Sequence, residues 1–264
     1  MPFDDLLLEK KNAVARITLN RPGKLNALAD TTTRQLCEAC EDAIGDPDVR
    51  ALMITGAGEA FCAGGDYKDT FERWSGKSAE EWRKRIRGGP NELVRILGTS
   101  EKPVIACING VAVGGGATIA LACDIRIASE RARFSFPFSK IGATPEFGCS
   151  YLLPRVVGLG KSVELLFLAD TIDAHEAWRI GLVNVVVPHE ELEPATQGVI
   201  DRLLEKPPAA LGTIKSLLYR SLSMDMQSAL ELEALALSSA FKTAEHREAV
   251  QRFLNRKSRS PGER

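Results

Sequence analysis

This 264-residue sequence lacks long hydrophobic runs and has no excess of charge of either sign. No apolar run approaches the roughly 18 residues that a membrane-spanning helix needs. The net charge of −1, from 34 basic and 35 acidic residues, provides no positive field for nucleic acid or for an anionic membrane surface. Residues 1–5 include Asp4 and Asp5, whereas a secretory leader begins with basic residues. We therefore expect a cytoplasmic protein with no membrane segment and no nucleic-acid partner.

Ligands for a metal ion are also scarce. The three histidines are scattered along the chain, and Cys37-x-x-Cys40 has neither a second cysteine pair nor a nearby histidine to complete a zinc site. The six cysteines lie mostly in apolar stretches, which is typical of small buried residues in a reducing compartment. The sequence predicts no metal site and no disulfide framework.

Signatures of several common enzyme classes are incomplete. The glycine cluster at residues 56–61 has Phe61 where a dinucleotide-binding fingerprint requires its third glycine. The Gly-Lys-Ser of residues 160–162 imitates the end of a phosphate-binding loop, but Arg155 stands where the first glycine of that loop is required. Ser150 is not in a G-x-S-x-G turn. A kinase, a dehydrogenase and a serine hydrolase are therefore disfavoured.

The sequence does contain an alternation of strand and helix signals over its first two-thirds. Helical patterns such as residues 31–44 and 174–180 fall between short β-prone runs, which is typical of an α/β core. After about residue 188 only helical patterns follow. We predict a core at residues 1–195 and a C-terminal helical region at residues 196–264 that covers the core or docks on a neighbouring subunit. The predicted strands are residues 13–20, 51–55, 104–108, 125–128 and 182–187.

Two glycine-bearing turns follow apolar strands, at residues 61–66 and 109–117. Such turns expose backbone amides, and the second turn runs into a predicted helix at residues 117–123. Free N–H groups there would lie at the positive end of the helix dipole, which favours an anion. Tight packing of strand against helix is the alternative use of glycine, and the residues alone leave both open.

The segment at residues 70–98 carries Trp74, Trp82 and a basic run at residues 83–87. An amphipathic surface helix explains these residues, and so does a cover over a bound ligand. We expect this segment, together with the C-terminal helices, to set the depth of any ligand pocket.

Several further motifs occur in an order that resembles the crotonase family, also called the enoyl-coenzyme A (CoA) hydratase/isomerase superfamily. The resemblance extends almost from end to end. It rests on Asn20-Arg21-Pro22, Asn26-Ala27-Leu28, the turn at residues 61–66, residues 102–106 leading to Gly114-Gly115-Gly116, and residues 123–128, 153–158 and 174–183.

The resemblance implies a spiral of ββα repeats with a C-terminal helical region, assembled as a homotrimer or a dimer of trimers. It implies an acyl-CoA thioester as substrate, with no separate cofactor because the coenzyme A belongs to the substrate. The thioester oxygen would accept hydrogen bonds from the backbone N–H groups of Gly65 and Gly115, the oxyanion hole. By the same matching, the residues at the coenzyme A end, chiefly through backbone contacts, are Lys24, Ala27, Ala63, Asp66 and Tyr67.

The sequence departs from the hydratases of the family at two positions. The two glutamates that position and activate water in those enzymes align with Thr118 and Phe138 of this sequence. A threonine does not titrate usefully and a phenylalanine excludes water. Because each general acid or base contributes about 10²–10⁴-fold, hydration should be slow or absent. Thr118 and Phe138 are instead expected to line the substrate.

Glu146 resembles the catalytic acid of the peroxisomal-type Δ3,Δ2-enoyl-CoA isomerases, and residues 137–151 resemble the pattern of that subgroup. The resemblance implies that Glu146 moves a proton from C2 to C4 of a 3-enoyl thioester. From spacing alone, Glu146 is equally a surface acid after Pro145. Three alternatives stay open: an isomerase of ring-epoxide or ring-oxepin acyl-CoA esters, whose members usually carry aspartate here; a hydratase that uses another acid; and a non-catalytic acyl-CoA-binding protein.

Overall fold

The computed structural model describes residues 3–257, in which ten strands form two sheets. In chain order the strands are β1 (Leu6–Lys11), β2 (Val14–Leu19), β3 (Ala51–Gly56), β4 (Ala60–Cys62), β5 (Val104–Ile108), β6 (Val111–Val113), β7 (Ile125–Ser129), β8 (Arg133–Ser135), β9 (Ile172–Asp173) and β10 (Val185–Val187). The large sheet has the order β1-β2-β3-β5-β7-β10, and the small sheet has the order β4-β6-β8-β9.

Helices connect these strands and make up the C-terminal part of the described chain. In order they are α1 (Asp30–Gly45), α2 (Tyr67–Trp74), α3 (Ala79–Gly88), α4 (Pro90–Thr99), α5 (Gly115–Ala122), α6 (Cys149–Val157), α7 (Leu159–Leu168), α8 (Ala174–Arg179), α9 (Leu192–Leu204), α10 (Pro208–Ser221), α11 (Met226–Ala240) and α12 (Ala244–Lys257).

The topology is a spiral of ββα repeats, as the sequence predicted. In each repeat the first strand joins the large sheet and the second joins the small sheet before the chain returns through helices. The repeats are β3-β4 with α2 to α4, β5-β6 with α5, and β7-β8 with α6 and α7. Neighbouring repeats pair in parallel in both sheets. The β1-β2 hairpin starts the large sheet antiparallel, through a turn at Asn12 and Ala13 with positive φ angles.

The large sheet is covered on both faces, which explains why β3 and β5 are continuous apolar runs with every residue buried. One face packs into the main core with Leu36 of α1 and Leu97 of α4. The other face is covered by α9, whose Leu192 and Ile200 pack in one cluster with strand residues of this sheet. The predicted boundary between residues 195 and 196 falls inside α9, and the division into two regions stays a prediction.

Two predicted helices are observed, and one predicted strand is shorter than expected. The helix predicted at residues 31–44 is α1, and the helix predicted at residues 174–180 is α8, followed by Gly181 with a φ of +79°. The strand predicted at residues 182–187 is only β10, three residues long. All six cysteines are buried and free, as expected. Residues 258–264 of the predicted C-terminal region lie outside the described residues.

No helix among residues 3–257 is long and apolar enough to cross a membrane.

A buried ion pair attaches α10 to the core. The ammonium of Lys215 lies 2.8 Å from Oδ2 of Asp124, and the Tyr219 hydroxyl donates to Oδ1 at 2.9 Å. The N–H of Val104 also donates to Asp124, and Lys215 donates to the carbonyl of Leu97. Only 8% of the Lys215 side chain and 17% of the Asp124 side chain are exposed. The pair therefore joins the C-terminal helices to β5 and to the loop before β7.

We expect Asp124→Ala to lower the free energy of unfolding by about 3–5 kcal/mol, because it leaves the Lys215 ammonium buried without its counter-ion. Urea denaturation monitored by circular dichroism at fixed protein concentration measures this loss. The matched control is Glu80→Ala, which breaks the exposed Glu80–Arg83 pair and should cost about 0–1 kcal/mol. Equal losses in the two variants would contradict the conclusion that Asp124 and Lys215 form a buried ion pair that joins α10 to the core.

Candidate active site

Parallel pairing of β4 with β6 brings the two glycine-bearing turns together. Ala60 pairs with Val111 and Cys62 with Ala112, so the segments that leave the two strands start at the same edge of the small sheet. A Cβ atom on Gly64 would lie 2.7 Å from the carbonyl oxygen of Val113 and 3.7 Å from the nitrogen of Gly115. Gly64 also has a φ of +88°. The close approach of the two turns therefore requires glycine at this position.

Each turn presents a backbone N–H group. Gly65 forms a single parallel bridge with Leu28, but the bridge uses the carbonyl of Gly64 and the N–H of Asp66, at 2.7 and 2.9 Å from the backbone of Leu28. The N–H of Gly65 takes no part in that bridge. Gly115 is the first residue of α5, where a helix has no acceptor of its own for the N–H group and its dipole is positive. Both predicted oxyanion-hole donors thus lie on adjacent turns.

Glu146 places its carboxylate beside Gly115. A Cβ atom on Gly115 would lie 3.2 Å from Oε1 of Glu146 and 2.9 Å from the Phe147 ring. Phe147 is buried, and its φ of +51° puts the backbone in the left-handed region, a conformation that costs energy for a bulky residue. Burial raises the pKa of the Glu146 carboxyl, and the positive charge of Arg85 opposes that rise. Glu146 is therefore not a freely solvated surface acid.

Glu146 and Gly65 line one large cavity of about 1120 Å³, which we call the main cavity. Its aromatic walls are Tyr67, Trp82 and Phe138, and its basic side chains are Lys68 and Arg85. Glu146 is the only acidic side chain among the described residues that line it. Tyr67 lies close to both groups: its ring is 3.9 Å from a Cβ placed on Gly65, and burial and then the Glu146 charge raise the pKa of its hydroxyl.

The residues predicted at the coenzyme A end gather around Asp66. Its carboxylate lies 2.9 Å from Nη2 of Arg21 and 3.0 Å from the Lys24 ammonium. Burial alone would raise the pKa of Asp66, but the hydrogen bonds from Lys24 and Arg21 outweigh it and lower the pKa. Ala63 donates its N–H to Leu25, and Arg21 donates to the carbonyl of Ala27. Asp66 thus holds the segment of Lys24 and Ala27 against the first turn, and the contacts of these residues with coenzyme A stay a prediction.

Thr118 and Phe138 differ in their placement. Phe138 is 4% exposed and lines the main cavity, as expected of a residue that excludes water. Thr118 is fully buried, and its hydroxyl donates to the carbonyl of Gly114 at 3.0 Å. It is not among the residues that line the main cavity. The expected substrate contact of Thr118 therefore has no support in this geometry, because its hydroxyl stabilises the first turn of α5 instead.

The cavity wall includes residues that the sequence reasoning did not predict, such as Lys68 on α2 and Asn91 on α4. Arg85 on α3 was covered only by the suggestion that the basic run at residues 83–87 lies over a bound ligand. The sequence does signal α3 itself, through the capping box in which Ser78 and Glu81 bond each other's backbone N–H. It gives no sign of which charged residue on the helix turns inwards. Arg85 does so by pairing with Asp30, 55 positions earlier in the chain.

No group of three or more His, Cys, Asp or Glu side chains arranged to hold a metal ion occurs within residues 3–257. The expected absence of a metal from the protein stays a prediction.

Comparison with known proteins agrees with this geometry. A sequence profile described as enoyl-CoA hydratase/isomerase matches residues 9–261. The chain belongs to the enoyl-CoA hydratase/isomerase family. It is an enzyme of this family, which is also called the crotonase superfamily. It is 38% identical over 258 residues to a short-chain-enoyl-CoA hydratase from Clostridium acetobutylicum, with 97% of each chain covered. It is 36% identical over 253 residues to a 1,2-epoxyphenylacetyl-CoA isomerase from Escherichia coli, with 96% of each covered.

Solved structures of the family have the same fold. The crystal structure of an enoyl-CoA hydratase/isomerase from Cupriavidus metallidurans superimposes with a TM-score of 0.91 at 34% identity, covering 97% of this chain and 95% of that one. An enoyl-CoA hydratase from Bacillus anthracis superimposes with a TM-score of 0.89 at 29% identity, covering 96% and 97%. The crotonase-type fold predicted from the sequence is confirmed.

The partly buried carboxylate of Glu146 should lower the free energy of unfolding of this family member at neutral pH. Because the folded pKa of Glu146 is raised, the folded protein binds this proton more tightly than the unfolded chain does. The stability that this binding provides is fully present below the pKa of an unfolded glutamate, and it is lost as pH rises through the folded pKa. Glu146→Gln removes this titration. We therefore expect the variant to be more stable than the parent at neutral pH, with a difference that shrinks as the pH falls below the unfolded pKa.

Urea midpoints of parent and variant across the acidic and neutral range measure this difference. The control is Glu72→Gln, at an exposed acid on α2. The difference between its urea midpoint and that of the parent should be the same at every pH. A variant that is less stable at neutral pH would mean that the Glu146 carboxylate is favourably paired rather than desolvated.

Proposed function

We propose that this chain is an acyl-CoA isomerase that moves the double bond of a 3-enoyl-CoA to the 2-position. The observation that carries the proposal is the position of Glu146: its carboxylate lies beside Gly115, and no other acid lines the main cavity among the described residues. A double-bond shift requires one group that can take a proton and then return it. A cavity with one partly desolvated carboxylate suits that requirement.

The proposed reaction proceeds through a dienolate. Glu146 takes a proton from C2, the electron pair of that C–H bond moves towards the thioester carbonyl, and the oxygen becomes negative. The N–H groups of Gly65 and Gly115 stabilise this oxygen, and one such donor is worth about 2.7–4 kcal/mol in a well-studied protease. The protonated Glu146 then gives its proton to C4, and the double bond lies between C2 and C3. Atoms and electrons balance without a cofactor.

Burial supports the same assignment. A carboxylate that has lost part of its water shell is a stronger base, which is the change that the raised pKa of Glu146 expresses. Phe138 and Trp82 line the cavity wall with aromatic ring surface, which holds water poorly, and water is the reagent that a hydratase must hold. Hydration requires a second group to position that water, and the two family positions for it are occupied by the buried Thr118 and by Phe138.

A second candidate is an isomerase of ring-epoxide acyl-CoA esters. Aromatic side chains of Tyr67, Trp82 and Phe138 line the main cavity and would suit a planar ring. The Escherichia coli relative, named 1,2-epoxyphenylacetyl-CoA isomerase, is 36% identical to this chain. Glutamate instead of aspartate at position 146 favours the enoyl isomerase.

The decisive experiment is to incubate the protein with a medium-chain trans-3-enoyl-CoA and to separate the 2-enoyl and 3-hydroxyacyl products by chromatography. We expect mainly 2-enoyl product. Glu146→Gln should reduce its formation by roughly 10²–10⁴-fold, while binding of a saturated acyl-CoA, measured by calorimetry, stays close to that of the parent. Ser150→Ala alters the same cavity wall without touching an acid and should retain activity.

The other outcomes identify the alternatives. Mainly 3-hydroxyacyl product would make the chain a hydratase, as the name of the Clostridium acetobutylicum relative suggests. Turnover of a ring-epoxide thioester without turnover of the 3-enoyl substrate would favour the second candidate. Binding without any conversion or proton exchange at C2 would make it a non-catalytic acyl-CoA-binding protein. Cytoplasmic location and the absence of a cofactor stay predictions.

We further propose that the protein assembles as a homotrimer or a dimer of trimers through its C-terminal helices. Helix α11 has no buried residue, and it exposes large apolar side chains that include Met226 at 80% and Leu235 at 66%. Such a surface favours association. Light scattering coupled to gel filtration should give three or six times the 28.7 kDa of one chain, and Leu235→Asp should lower that mass. A mass of one chain for the parent would refute the assembly.

A further inference from the structure

A second, smaller pocket lies behind the wall of the main cavity. This side pocket, of about 550 Å³, is lined by residues that include Asp30, Trp74 and Gly89. Arg85 lines both the side pocket and the main cavity. Its side chain therefore stands between the space that contains Glu146 and a further volume about half as large.

The Arg85 side chain is held firmly in this position. Its guanidinium lies 2.5 Å from Oδ1 of Asp30, and only 15% of the side chain is exposed. The same guanidinium lies over the rings of Trp74 and Trp82, 5.4 and 5.2 Å from their centres. The indole N–H of Trp74 donates to the other carboxylate oxygen of Asp30. The charge, the two aromatic faces and the hydrogen bond together fix one arrangement.

The separation of the main cavity from the side pocket depends on the Arg85 side chain, because α3 carries no buried residue. A helix without a buried face does not by itself form a tight wall. The side pocket is also bounded by the chain from Gly88 to Pro90, where α3 gives way to α4, so the space beyond Arg85 lies against backbone. Shortening residue 85 should therefore open the main cavity towards a preformed volume.

We propose that Arg85 is a specificity-determining residue that ends the acyl cavity and limits the length of the acyl chain. The inference rests on the proposed function in one respect, since it takes the main cavity to hold the acyl group of a thioester substrate. Chains that end before Arg85 fit the cavity. Longer chains meet a charged group paired with Asp30, and they would have to displace it from both tryptophan rings.

The test compares Arg85→Ala with Arg85→Met. Both variants lose the ion pair with Asp30 and the positive charge near Glu146, but methionine retains most of the length of the arginine stem. Any difference between them therefore reports the volume of residue 85. The measured quantity is the ratio of kcat/KM for a long-chain to that for a short-chain trans-3-enoyl-CoA, so a general change in the reactivity of Glu146 cancels.

We expect Arg85→Ala to raise this ratio by about fourfold for each methylene group that gains buried space. Arg85→Met should raise it less, because methionine fills most of the same space although it lacks the ion pair that fixes arginine. Binding of saturated acyl-CoA esters of the same lengths, measured by calorimetry, should follow the same order. Arg85→Ser provides a second shortened variant if the alanine variant is not folded by circular dichroism.

An unchanged ratio in folded Arg85→Ala, or a larger rise in Arg85→Met than in Arg85→Ala, would overturn the proposal. Failure of the proposed function gives a different result, because a parent protein that forms no 2-enoyl product can still bind saturated acyl-CoA esters. In that case the length dependence of binding alone supports or overturns the role of Arg85.

Discussion

Parallel pairing of β4 with β6 is the constraint on which the site depends. The pairing starts two turns at one edge of the small sheet, but the turns meet only because side chains are missing between them. A Cβ atom on Gly64 would lie 2.7 Å from the carbonyl oxygen of Val113, and one on Gly116 would lie 2.3 Å from that of Cys62. A real Cβ atom essentially never approaches a backbone oxygen this closely, so larger residues would push the turns apart. The N–H groups of Gly65 and Gly115 would then no longer be neighbours.

Glu146 shows how the site conflicts with stability. The protein places a carboxylate where burial raises its pKa and follows it with a phenylalanine in the left-handed backbone region. Both features cost folding free energy. In return, the carboxylate lies beside the first N–H group of α5, where the proposed base would meet a substrate without a full shell of water. Arg85 limits the cost, because its charge favours the ionised form of Glu146.

The sequence predicted those parts of the structure that have a long pattern or a fixed motif. Helix α1 and strand β5 are examples. The helical spacing of apolar residues identifies the first and a continuous apolar run identifies the second, within one or two residues of their observed ends. Strands β4, β6 and β8 have only three residues each, too few to show an alternation. The sequence pattern located none of them, and the family resemblance implied ββα repeats without giving their positions. The glycine turns were recognised from sequence, but their contact follows from strand pairing. The pairing of Arg85 with Asp30 spans 55 positions, and no local rule indicates it.

The family likeness and the proposed chemistry are compatible because they concern different parts of the reaction. In the proposed reaction, the turns that carry Gly65 and Gly115 would stabilise a negative thioester oxygen, an intermediate shared by addition of water and by migration of a double bond. The reaction that follows depends on the acids that face the acyl chain. At 38% identity to a named hydratase, most of the scaffold can be shared while the acids differ. In this chain Phe138 lines the cavity, Thr118 is bonded to its own helix, and Glu146 is the one acid among the described residues that line the cavity. One acid is sufficient for a proton shuttle, whereas hydration requires the water itself to be held and activated.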